Sequence, residues 1–279
     1  MKVICDAPGQ TCNRLWSYVA TISECIVKKK KMMILFFDYT IEDFPNFRNA
    51  PFIFFPLYHK WLLEIGNNWN RFKGLTWKAT HNAKLDKLYF FLGFFKGWHT
   101  RKDTRYISMA KKEIIRIFTP RKEITDRASS VIENLKKKSE IVVGVHIRRG
   151  DYKVWNNGQF FYELDQYLLF MNRIKETFSE KQISFFICSN EWFEIDIFPG
   201  LSCFRYQQNE PSAEILDLHT LSMCDYIIGP FSTYSRWASF IGETPICFLE
   251  ETHQTFTKDS FSVITDYFHF ANGKVIQDW

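Results

Sequence analysis

The sequence predicts an α/β chain of two lobes, each with a parallel sheet covered by helices, and three observations carry that prediction. Residues 141–147 read IVVGVHI, an apolar, β-branched run without polar alternation, as expected of a strand buried on both faces of a parallel sheet. Beyond it, short apolar runs alternate with stretches of helical spacing, the order of a doubly wound sheet. The N-terminus opens with a strand, a glycine-containing loop and a helix of its own. The lobes are expected over 1–120 and 121–279, the first carrying an aromatic-rich insertion at 44–98.

The first strand covers 2–5 and ends in a loop with Pro8 and Gly9. From Asn13, the apolar residues Leu15, Val19, Ile22 and Ile26 recur at helical spacing, and the helix ends in Lys28 to Lys31, where cations suit the negative end of its dipole. A strand over 32–37 delivers Asp38 to a carboxyl edge. Helices follow over 106–118 and 121–138, the second expected to be capped by Thr119 with Pro120 at its first position. After the central strand come a helix over 161–178, strands at 183–188 and 203–206, a helix over 213–224, a strand at 226–229, a helix over 234–241 and a strand at 245–249.

Composition narrows the functional classes. Lys and Arg outnumber Asp and Glu by 36 to 31, a net +5 too diffuse for a nucleic-acid surface but compatible with anionic substrates or an anionic membrane face. Seven scattered cysteines, several within apolar runs, read as buried thiols of a reducing compartment. The N-terminus is too short in apolar residues for a signal peptide, and no apolar run reaches the roughly 18 residues of a spanning helix, so a cytoplasmic protein is expected, with peripheral membrane contact open. Segment 44–98 mixes dense aromatics with Lys, Arg and His. It fits an acceptor groove, a membrane-facing surface or plain packing against the first lobe.

The central strand turns abruptly polar at its carboxyl end, the edge at which open α/β sheets hold ligands. Alternation puts His146 and Arg148 on one face and Arg149 on the other. Arg148 is the candidate for gripping a phosphate through two parallel hydrogen bonds, while Arg149 is expected to pair with Asp151. Taken alone, such an arginine pair equally suits salt bridges that hold the loop.

The heptapeptide HIRRGDY resembles the His-x-Arg-Arg-x-Asp motif of the GDP-fucose-dependent fucosyltransferases, most closely their bacterial α-1,2 branch. Three further stretches resemble that superfamily in the same order: GQTCNR at 9–14, FFICSN at 185–190 and ILDLHTLSMCDYIIGPFSTYSRWASF at 215–240. The resemblance implies a GT-B-like fold with an active-site cleft between two Rossmann-like lobes. It also implies an inverting, metal-independent transfer of L-fucose from GDP-fucose to a hydroxyl of a glycan or glycolipid acceptor, with α-1,2 linkage. Other readings are a transferase of this fold using another nucleotide sugar, or a binding protein without turnover.

By the same resemblance, Asn13 belongs to the opening loop, His146 lines the nucleotide side and Arg148 and Arg149 serve the diphosphate. Asp217 would accept hydrogen bonds from the guanine edge, and Ser232 and Thr233, entering a helix, would face the β-phosphate. No Asp-x-Asp pair is present to hold a divalent cation, so Arg148 would neutralise the leaving diphosphate, with no metal or other cofactor. The α-1,6 branch carries a glutamate base a few residues beyond the motif, where this sequence has Trp155-Asn156-Asn157. Asp38, Asp151 and Asp6 are the remaining acidic candidates, Asp151 also serving to orient the arginines.

Overall fold

The computed structural model describes residues 1–4, 6, 8–35, 37, 39–55 and 94–277. The chain divides into two compact units, Met1–Arg121 and Lys122–Trp279. Each is a parallel sheet with helices packed on it, the GT-B-like class expected from the sequence.

The first unit runs β1 (Lys2–Ile4), α1 (Thr11–Val27), β2 (Met32–Ile34), α2 (Pro45–Arg48), β3 (Ile53–Phe54), β4 (Phe94–Phe95), α3 (Gly97–Thr100) and α4 (Ile107–Ile117), with sheet order β3-β2-β1-β4. Helix α1 starts two residues earlier than its periodicity suggests and is buried nearly all round, because α3 and α4 cover the face that an amphipathic surface helix would leave in water. Between 44 and 55, Phe44 and Phe47 pack inward while Phe54 stays exposed; the Phe47 ring lies 4.8 Å from Phe118 and 5.3 Å from Phe37. The rest of the aromatic insertion, 56–93, and with it the acceptor-groove and membrane-surface expectations, lies outside the described residues, as does Asp38.

The second unit runs α5 (Lys122–Lys136), β5 (Ile141–Ile147), α6 (Leu164–Thr177), β6 (Ile183–Ser189), β7 (Ser202–Phe204), α7 (Ala213–Ser222), β8 (Tyr226–Gly229), α8 (Thr233–Gly242) and β9 (Ile246–Phe248). Its sheet order is β7-β6-β5-β8-β9, with every pair parallel. Two of the boundaries that differ from expectation have a clear physical cause. Thr119 does not cap α5: its hydroxyl donates to the Ile115 carbonyl and closes the end of α4, while α5 begins at Lys122, two residues past Pro120. Helix α6 begins at Leu164 rather than 161, because Glu163 and Gln166 form a reciprocal capping box there.

Strand β5 is buried on both faces because it is sandwiched. Val143, Val145 and Ile147 pack on Tyr167, Phe170, Met171 and Ile174 of α6, each such side chain worth about 1.5–3 kcal/mol when fully buried. On the opposite face Gly144 lets α7 in, since a Cβ there would stand 2.4 Å from the Leu221 Cδ1. Gly229 ends β8 beside His146, and a Cβ on it would come within 2.8 Å of the His146 carbonyl oxygen. No helix among the described residues is long and apolar enough to cross a membrane. Gly229→Ala must push the β5 and β8 ends apart, and we expect a loss of about 1–3 kcal/mol, measured as a lower urea midpoint at unchanged m-value.

Candidate functional site

In an open parallel sheet, a crevice forms where connections leave two neighbouring strands in opposite directions, and β5 and β8 are such a pair. The loops that continue them are tied together. The Tyr152 hydroxyl donates to the Phe231 carbonyl at 2.8 Å, and the His146 imidazole lies against the Tyr234 ring with centroids 4.9 Å apart.

The two arginines part as strand alternation predicts. Arg149 turns toward the α6 face, where Glu163 and Glu191 hold its guanidinium at 2.6 and 3.0 Å. Asn190 clasps its main chain from both sides, accepting from its N–H and donating to its carbonyl. The expected Arg149–Asp151 pair does not form. Asp151 pairs instead with Arg148, at 2.9 Å, and Arg149 is occupied as the anchor of the loop rather than presented as a phosphate ligand. Arg148 keeps only 16% of its side chain exposed, lies with its guanidinium carbon 5.5 Å from the Tyr152 ring centroid, and has a buried Nε without a hydrogen-bond partner among the described residues.

Helix α8 opens on the other side of the crevice. Ser232 is its N-cap, accepting the Tyr234 N–H at 3.2 Å, and Thr233 is its first residue. The preceding loop is clamped from behind by the buried Arg236, whose guanidinium carbon sits 4.2 Å from the Phe231 ring and 4.6 Å from the Tyr267 ring while it donates to the Tyr267 carbonyl. An arginine facing a helix N-terminus provides charge, dipole and N–H groups for an anion.

Two buried titratable groups line the same end of the sheet. Burial, with Arg148 beside it, pushes the His146 imidazole down to about 3, so the ring is neutral. Asp217, on α7, is pushed up to about 7 by burial, with Arg205 opposing the rise and Glu210 adding to it. Cys188, the register partner of His146 on β6, feels the Asp217 charge as well. Neither the His146 Nδ1 nor the Asp217 Oδ1 has a hydrogen-bond partner among the described residues. Arg205 is held off as a charge rather than a donor: its guanidinium is fixed by the Glu191 and Phe193 carbonyls and stacked 4.4 Å from the Phe193 ring.

The structure therefore gathers His146, Arg148, Asp151, Ser232 and Thr233 at the β5–β8 end, with Asp217 beside Cys188 on the adjoining strand. Asn13, in the first turn of α1, belongs to the other unit. Asp6 is buried and accepts the Gly97 and Trp98 N–H groups at 2.7 and 3.1 Å, an assignment to the fold rather than to proton transfer. Sequence reasoning missed Tyr152, Asn190, Arg205 and Arg236. Tyr152, Asn190 and Arg236 lay inside quoted motifs, whereas nothing local to Arg205 marks it. Among the described residues no group of three or more His, Cys, Asp or Glu stands close enough to hold a metal ion.

The two buried groups titrate against each other. His146 loses stability for the fold as pH falls from about 6.5 toward about 3, because only the unfolded imidazole binds a proton in that window. Asp217 does the reverse: its folded carboxyl binds a proton from about 7 downward while the unfolded one waits until about 4, so acidification stabilises the fold. We expect Asp217→Asn to lose stability, relative to the parent protein, by about 1.4 kcal/mol per unit between pH 6.5 and 4.5, and His146→Gln to gain it at a similar rate. Urea midpoints at the two pH values measure both.

Comparison with solved structures finds the same architecture in glycosyltransferases. NodZ alpha-1,6-fucosyltransferase soaked with GDP-fucose is 16% identical, with 91% of this chain and 96% of that chain aligned at a TM-score of 0.51. Fucosyltransferase NodZ from Bradyrhizobium is 17% identical over 88% and 94% of the two chains, at 0.52. A mutant of Arabidopsis thaliana FUT1 in complex with GDP is 11% identical over 99% of this chain and 76% of that one, at 0.60. Comparison with curated protein sequences returns no match. The family model described as Glycosyl transferase family 11 matches residues 94–263. That segment covers well over half of the chain and contains the arginine loop, Asp217 and the capped start of α8, and it establishes that the protein belongs to glycosyl transferase family 11.

Proposed function

We propose that the protein transfers L-fucose from GDP-fucose, with inversion and without a metal ion, to a hydroxyl of a glycan or glycolipid acceptor, forming an α-1,2 linkage. One observation carries this reading: the same crevice end offers an arginine opposite a helix N-terminus and, deeper, a buried carboxylate oxygen and a buried imidazole nitrogen without partners among the described residues. The first pair suits a diphosphate. The second suits a base edge, for a carboxylate can accept from both N1 and N2 of guanine, a donor pair that uracil and adenine do not present. Leaving such buried groups unpaired costs about 1–3 kcal/mol each, which a bound nucleotide would recover. Structures of similar fold contain GDP or GDP-fucose, in keeping with this donor.

In the transfer, the bond from the fucose C1 to the β-phosphate oxygen breaks as the acceptor oxygen attacks from the opposite face, and charge accumulates on departing GDP. Arg148 and the first turn of α8 are preorganised to take up that charge, the role a cation fills elsewhere. Asp151, 58% exposed and paired with Arg148, orients the guanidinium. It and Asp38 are the proposed acceptors for the hydroxyl proton. Asn13, in the first turn of α1, is a further proposed donor ligand. The thiols of Cys25, Cys188, Cys203, Cys224 and Cys247 are free, which favours a reducing, cytoplasmic setting.

Calorimetric titration of GDP tests the proposal. Binding should persist in chelator and exceed that of UDP. Arg148→Ala should weaken GDP by about 10- to 100-fold, the worth of a charge-assisted contact. Asp217→Asn should erase the preference for GDP over UDP, and parent-protein affinity should fall as pH drops below about 7, where the carboxylate is lost as an acceptor. No GDP binding, or activity abolished by chelator and restored by Mg²⁺, would overturn the assignment.

A further inference from the structure

Immediately beyond the arginine loop the chain makes a tight turn that the transfer chemistry leaves without a role. Asn156, Asn157 and Gly158 follow one another with φ of +46°, +56° and +75°. Consecutive left-handed non-glycine residues are disfavoured and persist where their surroundings impose them. Here the Asn156 side chain bonds Gln159 at 2.9 Å, and a Cβ on Gly158 would meet the Lys153 carbonyl at 3.0 Å. The turn carries Trp155, whose indole rests 4.8 Å from the Tyr152 ring and 5.7 Å from the Phe160 ring, yet remains 37% exposed.

Those two supporting rings also pack against the two loops of the anion site. Tyr152 faces the Arg148 guanidinium and bonds the Phe231 carbonyl, and Phe160 stacks on Phe231 at 5.7 Å and 27°. The indole is thus fixed one ring beyond the Arg148 loop and the start of α8, the two groups proposed to hold the diphosphate. A large flat aromatic face, rigidly backed and open to water, matches the C–H face of a pyranose, and most of all that of a 6-deoxy sugar, which has a methyl where other hexoses carry a hydroxymethyl. We propose that Trp155 is the stacking platform for a pyranose ring at the transfer point, an inference that rests on the donor reading above. Both the fucose of the donor and the acceptor ring offer this chemistry.

The test uses the full chain with Trp155→Ala and Trp155→Phe, titrating GDP and GDP-fucose and measuring KM for donor and acceptor. The expected result in Trp155→Ala is GDP affinity within twofold of the parent, with about a tenfold loss either in GDP-fucose affinity and donor KM, marking the donor sugar, or in acceptor KM alone, marking the acceptor. Trp155→Phe should recover most of that loss. Equal weakening of GDP and GDP-fucose would reveal a role in holding the loop and overturn the proposal. So would unchanged constants throughout. Failure of the donor reading is separately visible as absent GDP binding by the parent protein, and it would take this inference down with it.

Discussion

A backbone contact governs the candidate site. Gly229 lies against His146 closely enough that any side chain would strike the His146 carbonyl, and this brings the ends of β5 and β8 together. Everything chemical in the second unit follows from that approach. The Arg148 loop and the start of α8 face each other because their strands adjoin, and Tyr152 can reach the Phe231 carbonyl because the loops start side by side. The strands diverge in connection, β5 leading to β6 and β8 to β9, so no helix fills the gap between them.

Much of this was legible in the sequence, for reasons that differ from residue to residue. The unbroken apolar run of β5 predicted burial on both faces, and its period of two sent Arg148 and Arg149 to opposite sides. What the pattern could not supply was the identity of long-range partners. Asp151 was the nearest acid to Arg149 along the chain, but Glu163 and Glu191 are nearer in space, and they released Asp151 to Arg148. Thr119 before Pro120 carried the local signature of a helix start. The carbonyl of Ile115 competed for the same hydroxyl and won. Periodicity showed one apolar face of α1, but not the two later helices that cover the rest of it.

The electrostatic arrangement divides labour between fixed and responsive charges. Arg149, Arg205 and Arg236 are tied down by carboxylates, carbonyls and rings, and they hold loops in place. His146 and Asp217 are instead buried with an open hydrogen-bonding position each, a costly state that the surrounding packing enforces. The division explains why neighbouring arginines of one motif act so differently: one is consumed by structure so that the other can be aimed.

Asp217 has one more consequence. With its carboxyl poised near neutrality, the empty crevice carries a fraction of a proton at physiological pH. A ligand that demands the ionised carboxylate must expel that fraction into the buffer, making occupancy of the site and release of hydrogen ions a single linked equilibrium. The crevice would then sense acidity through a carboxyl whose Oδ1 is sealed from water by the protein around it.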